Sequence, residues 1–137
     1  MNRYLIDTNV ISELRKRKPH GGVVAWMESL RLEQILLSAV TLAEIQAGVE
    51  LVRRQNAPKA SEIENWLDQL ENAFAVLPMD CACFREWSRL LYLHPGAERE
   101  DAMIAATARV HSLTLATRNE RDFANLNVGI FNPFRFR

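Results

Sequence analysis

The fold of this 137-residue chain is constrained above all by an alternation of short, unbroken apolar runs with longer stretches of helical periodicity. That alternation predicts a sheet whose strands are joined by crossover helices. Strands are expected over Arg3 to Ile6, Gln34 to Leu37, Ala75 to Leu77 and Leu113 to Ala116, with a weaker one over Val128 to Phe131. They are rich in Leu, Ile and Val without polar alternation, which is the pattern of strands covered on both faces in a parallel sheet. Between them the spacing predicts helices over Thr8 to Lys16, Gly22 to Leu32, Thr41 to Arg54, Ser61 to Phe74, Cys81 to Leu93 and Glu98 to Ser112. Pro19, Pro58, Pro78 and Pro95 fall at or near these boundaries, as a helix breaker should. The expected fold is α/β, a short and mainly parallel central sheet flanked by helices on both faces. One domain is expected over residues 1–137, because the polar stretch Arg53 to Ser61 is too short to separate two and reads as a turn between helices.

Composition excludes little. Seventeen basic and seventeen acidic residues give no net charge, so a nucleic-acid partner would need a local basic patch. There is no apolar run of about 18 residues, and Asp7 stands where a signal peptide would have its apolar centre, so a cytoplasmic protein with no membrane contact is expected. Cys81 and Cys83 are too close in sequence for a useful disulfide and read as plain thiols. His20, His94 and His111 have no ligand spacing and read as surface or structural residues.

Three acids interrupt apolar runs. Asp7 closes Tyr4-Leu-Ile6, Glu44 lies inside the run from Val40 to Val49, and Asp101 opens the run from Ala102 to Ala108. A carboxylate withdrawn from water is costly unless it is paired or binds a cation, so three such placements suggest one divalent-metal site. Asp7 follows the first strand, where open α/β sheets bind ligands, although it could equally cap the next helix. At about 100° per residue, Glu44 shares a helix side with Val40, Ala47, Gly48 and Leu51, opposite Gln46, Glu50 and Arg53, and is expected to face inward. An internal salt bridge is the alternative for Glu44. Asp101 lies in a first helical turn, where negative charge is favoured, and the small residues after it allow close packing on the sheet. Asn119 and Asp122 follow the fourth strand and could reach the same crevice, with helix capping as the alternative for Asn119. Oxygen donors of this kind suit Mg²⁺ or Mn²⁺.

Leu5 to Ser12, Leu37 to Ile45, Asp101 to Ala108 and Leu115 to Phe123, in this order and with the closing Phe131-Asn-Pro-Phe134, resemble the PIN-domain family of metal-dependent ribonucleases. The similarity is strongest to the VapC-type toxins of bacterial toxin–antitoxin pairs. It implies Mg²⁺ or Mn²⁺ held by Asp7, Glu44 and Asp101, with Asn119 or Asp122 completing the set. Some members carry an Asp directly after Thr-Arg, where this chain has Asn119. The implied reaction is hydrolysis of an RNA phosphodiester by metal-activated water, with Asp7, Glu44, Asp101 and Asp122 as catalytic acids and Thr8, Asn9 and Thr117 steadying them. The resemblance also implies a cognate antitoxin, a homodimer and a substrate such as transfer RNA.

Arg118 and Arg121 flank the expected site and are the first candidates for RNA contact, ahead of Arg15 to Lys18 and of Arg85 with Arg89. The amphipathic stripe Val23, Trp26, Met27 and Leu30 suits either core or interface. Two rival functions remain open. A haloacid-dehalogenase-type phosphatase would use Asp7 as nucleophile but wants a second Asp where this chain has Asn9. A catalytically silent partner-binding module would keep only the fold.

Overall fold

A computed structural model describes residues 1–137. Five strands, β1 (Tyr4–Ile6), β2 (Ile35–Ser38), β3 (Ala75–Leu77), β4 (Thr114–Ala116) and β5 (Ile130–Phe131), form one sheet in the order β3-β2-β1-β4-β5. Every pairing is parallel. The helices are α1 (Thr8–Ile11), α2 (Gly21–Ser29), α3 (Ala39–Arg53), α4 (Ala57–Ala73), α5 (Cys81–Leu93), α6 (Arg99–Val110) and α7 (Glu120–Phe123). None of them is long and apolar enough to cross a membrane.

Unbroken apolar strands are required because each serves two cores. Ile6, Ile35, Leu37 and Ala116 face one cluster, which includes Val23 and Trp26 of α2, Ile45 and Val49 of α3, and Ile63 and Leu67 of α4. Their neighbours Leu5, Leu36 and Leu115 face a second cluster, built with Leu90 of α5, Ile104 and Ala105 of α6, and Phe123 of α7. The pairings Leu5 with Leu36 and Leu5 with Leu115 keep like faces together across the sheet. Burying each such Leu or Ile contributes about 1.5–3 kcal/mol, so a slip of one residue would forfeit both cores. The stripe on α2 belongs to the core: Trp26 packs edge-on against Tyr4, with ring centroids 5.0 Å apart, and also contacts Phe131.

All five expected strands are present, and the departures are in helix ends. The first helix stops at Ile11 and tightens into a 3₁₀ turn over Ser12–Arg15. There the buried Glu13 carboxylate accepts from His20 N at 2.9 Å and pairs with Lys16 at 2.8 Å, fastening the loop that holds Pro19. Helix α4 begins at Ala57 rather than Ser61, because Asn56 accepts from Lys59 N at 3.0 Å and Pro58 occupies the first turn, where a missing N–H costs nothing. The polar side of α3 meets α4, with Gln46 and Arg53 each 2.8 Å from Glu64.

From β1 the chain adds strands on one side, through β2 to β3, and then returns to place β4 and β5 on the other. The order therefore reverses between β1 and β4. Beyond the carboxyl ends of that pair lies the crevice where such sheets bind ligands, and the residues that emerge there are Asp7 and Thr117.

Candidate active site

Asp7 is fixed more tightly than any other acid of the crevice. Only 4% exposed, it accepts from Thr8 N at 2.8 Å through one oxygen, and from Thr117 Oγ1 at 2.8 Å and Asn9 Nδ2 at 3.1 Å through the other. Its own N–H donates to Ala116 O at 2.9 Å, which ties it to the β4 side. Burial raises its pKa above the usual carboxylate value, and the three donors offset part of that rise. Asp7 is thus both the cap of α1 and an acid of the crevice, so neither sequence reading excludes the other.

Thr117 and Asn9 form the brace behind it. The fully buried Thr117 hydroxyl accepts from Asn119 N at 3.0 Å while donating to Asp7. Asn9 Oδ1 accepts from Arg118 N at 3.1 Å. In this way the chain leaving β4 is pinned to the chain leaving β1. Asn9 is a structural amide here, in the place where a phosphatase of the rival type would have its second acid.

The inward placement expected for Glu44 is corrected by the structure. Helix α3 buries Val40, Thr41, Ile45 and Val49, whereas Glu44 lies on an exposed strip with Ala47, Gly48 and Leu51, the last 63% exposed. Small and apolar residues marked the wrong face because apolar side chains are common on protein surfaces. The Glu44 carboxylate still reaches the crevice, accepting from Thr8 Oγ1 at 2.8 Å. Thr8 has one hydroxyl proton, so with that proton given to Glu44 the neighbouring Thr41 hydroxyl, 3.2 Å away, donates to Thr8. Desolvation of this end raises the Glu44 pKa, Thr8 lowers it, and the charges of Asp7, Glu98 and Glu100 raise it further. No Lys, Arg or His pairs with Glu44, which removes the salt-bridge alternative.

Asp101 enters from the first turn of α6, with its pKa raised to about 7. Desolvation is the largest cause, followed by the charge of Glu98, a proton shared with the Glu98 carboxyl group, and the charges of Asp7 and Asp122. Glu98 caps α6, accepting from Asp101 N at 3.0 Å and Glu100 N at 3.4 Å. Sequence reasoning missed Glu98 as an acid of the crevice. A capping pattern was visible in its position just ahead of Asp101, but its electrostatic reach to Asp7 and Glu44 was not.

Asn119 and Asp122 are both exposed, and neither donates to nor accepts from the other acids through its side chain. Asn119 stands at the cap position of α7 without a side-chain capping bond, so capping does not explain it. Asp122 acts on Asp101 through its charge. Arg118, Asn119, Arg121, Asp122 and Arg135 line a shallow cavity of about 610 Å³. Arg118 also lies over the Phe134 ring, 4.5 Å from its centroid. Of the other basic candidates, Lys16 pairs with Glu13, Arg15 approaches Trp66 and Arg89 pairs with Glu86.

A family model described as the PIN domain matches residues 4–128. The chain belongs to the PIN-domain family. Toxin FitB of Neisseria gonorrhoeae is 41% identical over 138 residues, covering 95% of this chain and 97% of FitB. VapC ribonuclease Y4jK of Sinorhizobium fredii is 34% identical over 137 residues, covering 95% and 96% of the two chains. The crystal structure of FitAcB from Neisseria gonorrhoeae superimposes with a TM-score of 0.85 at 39% identity, covering 97% of this chain and 99% of the other.

The crevice of this PIN domain fits a divalent cation by its chemistry. Asp7, Glu44 and Asp101 arrive from three separate elements and have no cationic side chain against them; the charge of Asp7 raises the pKa of the other two, and that of Glu98 raises all three. Their donors are all oxygen, as hard cations require. The acids are more widely set than a closed cage. The one group of metal-type side chains whose ligand atoms approach within 4.8 Å lies elsewhere, at Asp80, Cys83 and His111. A wide oxygen-lined crevice suits Mg²⁺, which keeps several of its waters when bound to protein. The folded chain thus brings the free thiol of Cys83 and the His111 ring, distant in sequence, close to Asp80, a proximity that residue spacing did not show.

Proposed function

We propose that this PIN domain is an endoribonuclease dependent on Mg²⁺ or Mn²⁺ and is the toxin of a toxin–antitoxin pair. One observation carries the reading: three carboxylates from separate elements, none paired with a base, border one crevice at the point where the strand order reverses, near enough for the charge of Asp7 to raise the pKa of the other two. Relatives named as a toxin and as a ribonuclease over nearly the whole chain support the same conclusion.

Asp7, Glu44 and Asp101 would hold the cation, with Asp122 at the margin and Asn119 offering a neutral oxygen beside it. When bound, the cation supplies a water of lowered pKa and neutralises charge on the scissile phosphate. The remaining work falls to the chain. Thr117, Asn9 and Thr8 N hold both Asp7 oxygens in place, so no reorganisation is needed when charge develops. Thr8 positions Glu44 to bind the cation or orient a water. Arg118 and Arg121 line a cavity with Asp122 and would take the flanking phosphates of the RNA, with transfer RNA as the expected class, while Arg135 pairs with Glu120 there at 2.8 Å. No side-chain nucleophile is required, and Asn9 in its bracing role argues against a phosphatase working through Asp7.

A toxin requires a neutralising partner, and we assign that part to a cognate antitoxin that covers the acidic crevice. A homodimer is also proposed, with exposed Leu51 of α3 and Tyr92 and Leu93 of α5 offering apolar surface. Light scattering on the purified chain checks it.

RNA cleavage tests the central reading. Wild-type protein should cleave in Mg²⁺ or Mn²⁺ and stop in excess chelator, and Asp7→Ala should be inactive at every metal concentration. Calorimetry with Mn²⁺ should show binding to wild type and its loss in Asp101→Asn. Expression should arrest growth of the host, and Asp7→Ala should relieve the arrest. Equal cleavage by Asp7→Ala, or equal arrest, would sink the catalytic assignment.

A further inference from the structure

The α5–α6 pair brings together a second set of side chains whose chemistry differs from that of the crevice. Asp80 caps α5, Cys83 lies in that helix's first turn, and His111 ends α6. One ligand atom from each of the three lies within 4.8 Å of the other two. From Asp101 to His111 the helix rises about 15 Å, so this group is separate from the nuclease site.

His111 Nε2 is buried and has no hydrogen-bond partner, the only buried side-chain nitrogen or oxygen so left. In the neutral imidazole with its proton on Nδ1, that nitrogen carries a lone pair facing no donor, and such atoms are rare in folded proteins. The ring is held there by a left-handed helix ending: Ser112 has φ 55°, its N–H donates to Arg109 O at 3.2 Å, and Leu113 N donates to Ala108 O at 2.8 Å.

Cys83 is fully buried, beside the Thr107 hydroxyl, which donates to Met103 O at 2.9 Å and lies 3.3 Å from Met79 Sδ. One Asp80 oxygen accepts from Cys83 N at 3.0 Å, and the exposed Asp80 carboxylate also accepts from the Cys83 thiol. The cluster is therefore open to solvent on the Asp80 side and closed on the others.

We propose that Asp80, Cys83 and His111 form a binding site for a borderline-soft divalent cation of the Zn²⁺ class, with water as the fourth ligand. Thiolate, imidazole and carboxylate together select such an ion over Mg²⁺ or Ca²⁺. Tetrahedral bonds of about 2.0–2.3 Å set ligand atoms roughly 3.5 Å apart, so closure needs an inward shift of about 1 Å, within reach of the exposed Asp80 side chain. On binding, a metal–sulfur bond forms and the thiol proton leaves to solvent, with no change of oxidation state. Burial and the neighbouring Asp80 push the thiol pKa up, so the thiolate forms with the cation rather than ahead of it. The bound ion would tie the start of α5 to the end of α6, the helix that carries Asp101.

Co²⁺ is the probe, added to the full-length, reduced and metal-stripped chain. Wild type should develop thiolate-to-cobalt charge-transfer absorption that saturates near one equivalent and is displaced by Zn²⁺ but not by Mg²⁺. Cys83→Ser and Cys83→Ala should lose the band, and His111→Gln should weaken Co²⁺ binding at least tenfold. The exposed thiol variant Cys81→Ser should keep the band. So should Asp101→Asn, since an all-oxygen crevice gives no thiolate absorption, which separates this outcome from failure of the nuclease reading. Circular dichroism confirms that each variant is folded. A wild-type chain without the band, a band that survives loss of Cys83, or unchanged affinity in His111→Gln overturns the site.

Discussion

Asp7 and Asp101 border the same crevice yet hold their charge by opposite means. Asp7 is buried, but three donors surround it, and the same contacts cap α1 and lock the exit of β1 to that of β4. Asp101 is less buried and accepts no hydrogen bond from a protein donor; its neighbours are the carboxyl groups of Glu98, Asp7 and Asp122. The first acid belongs to the scaffold as much as to the site, while the second is set against its surroundings and is relieved only by a proton or a cation. A fold can thus build an anionic crevice by making one acid rigid and structurally useful while leaving the opposing acid electrostatically strained.

The largest effect expected from this contrast is in Asp7→Ala. Losing the cap costs about 1 kcal/mol, and orphaning the buried Thr117 hydroxyl adds about 1–3 kcal/mol. Urea unfolding in chelator should therefore show a clear loss of stability, whereas Asp101→Ala should show none. Equal losses would erase the distinction.

Thr117→Val sharpens it by leaving Asp7 in place and removing a donor. A cost of about 1–2 kcal/mol is expected, since Asn119 N also loses its acceptor. Mn²⁺ affinity should fall about tenfold as Asp7 loosens. Calorimetry and denaturation on one sample measure both, and an affinity equal to wild type would show that Thr117 does not position Asp7.

The third expectation concerns pH in the metal-free protein. The folded pKa of Asp101 is raised from 3.8 to about 7, so between those values the native state binds more protons than the unfolded chain. Stability from this group is full below about pH 4 and is lost as pH rises through 7. Asp101→Asn should lack that decline and should gain on wild type between pH 5 and pH 8 in urea midpoints. Parallel profiles for the two proteins would mean that Asp101 ionises normally.

Asp122→Asn should give the smallest change. Removing a distant exposed charge should lower the Asp101 pKa slightly and leave unfolding midpoints within about 0.5 kcal/mol. The Mg²⁺ concentration needed for cleavage should rise if Asp122 helps to hold the cation, and Asn119→Asp should lower it or leave it unchanged. A cleavage curve for Asp122→Asn identical to wild type would leave the site with Asp7, Glu44 and Asp101 as its carboxylates.

The strands were legible because a parallel sheet covered on both faces needs unbroken apolar runs, and Leu5 beside Ile6 or Leu36 beside Leu37 satisfies two cores at once. Asp7 was legible for a related reason, since an acid directly after such a run must leave the sheet at its carboxyl end. Glu44 was singled out through a mistaken face, although its carboxylate does reach Thr8 at the crevice. Helical periodicity alone could not show that α3 packs along Val40, Thr41, Ile45 and Val49 while its strip of Ala47, Gly48 and Leu51 stays outside.

By itself, the sequence determined the class of fold, the strand positions, and which acids stand at the ends of apolar runs or inside them, because local periodicity and residue order are properties of short segments. Only the tertiary structure decided which charges act on one another. The strand order places β4 beside β1, bringing Thr117 to Asp7 across the sheet. The packing of α5 on α6 sets Cys83 beside His111, and the first turn of α6 sets Glu98 against Asp101. Electrostatic energies depend on separation in space and on exclusion of water, and neither is fixed until the helices have docked on the sheet.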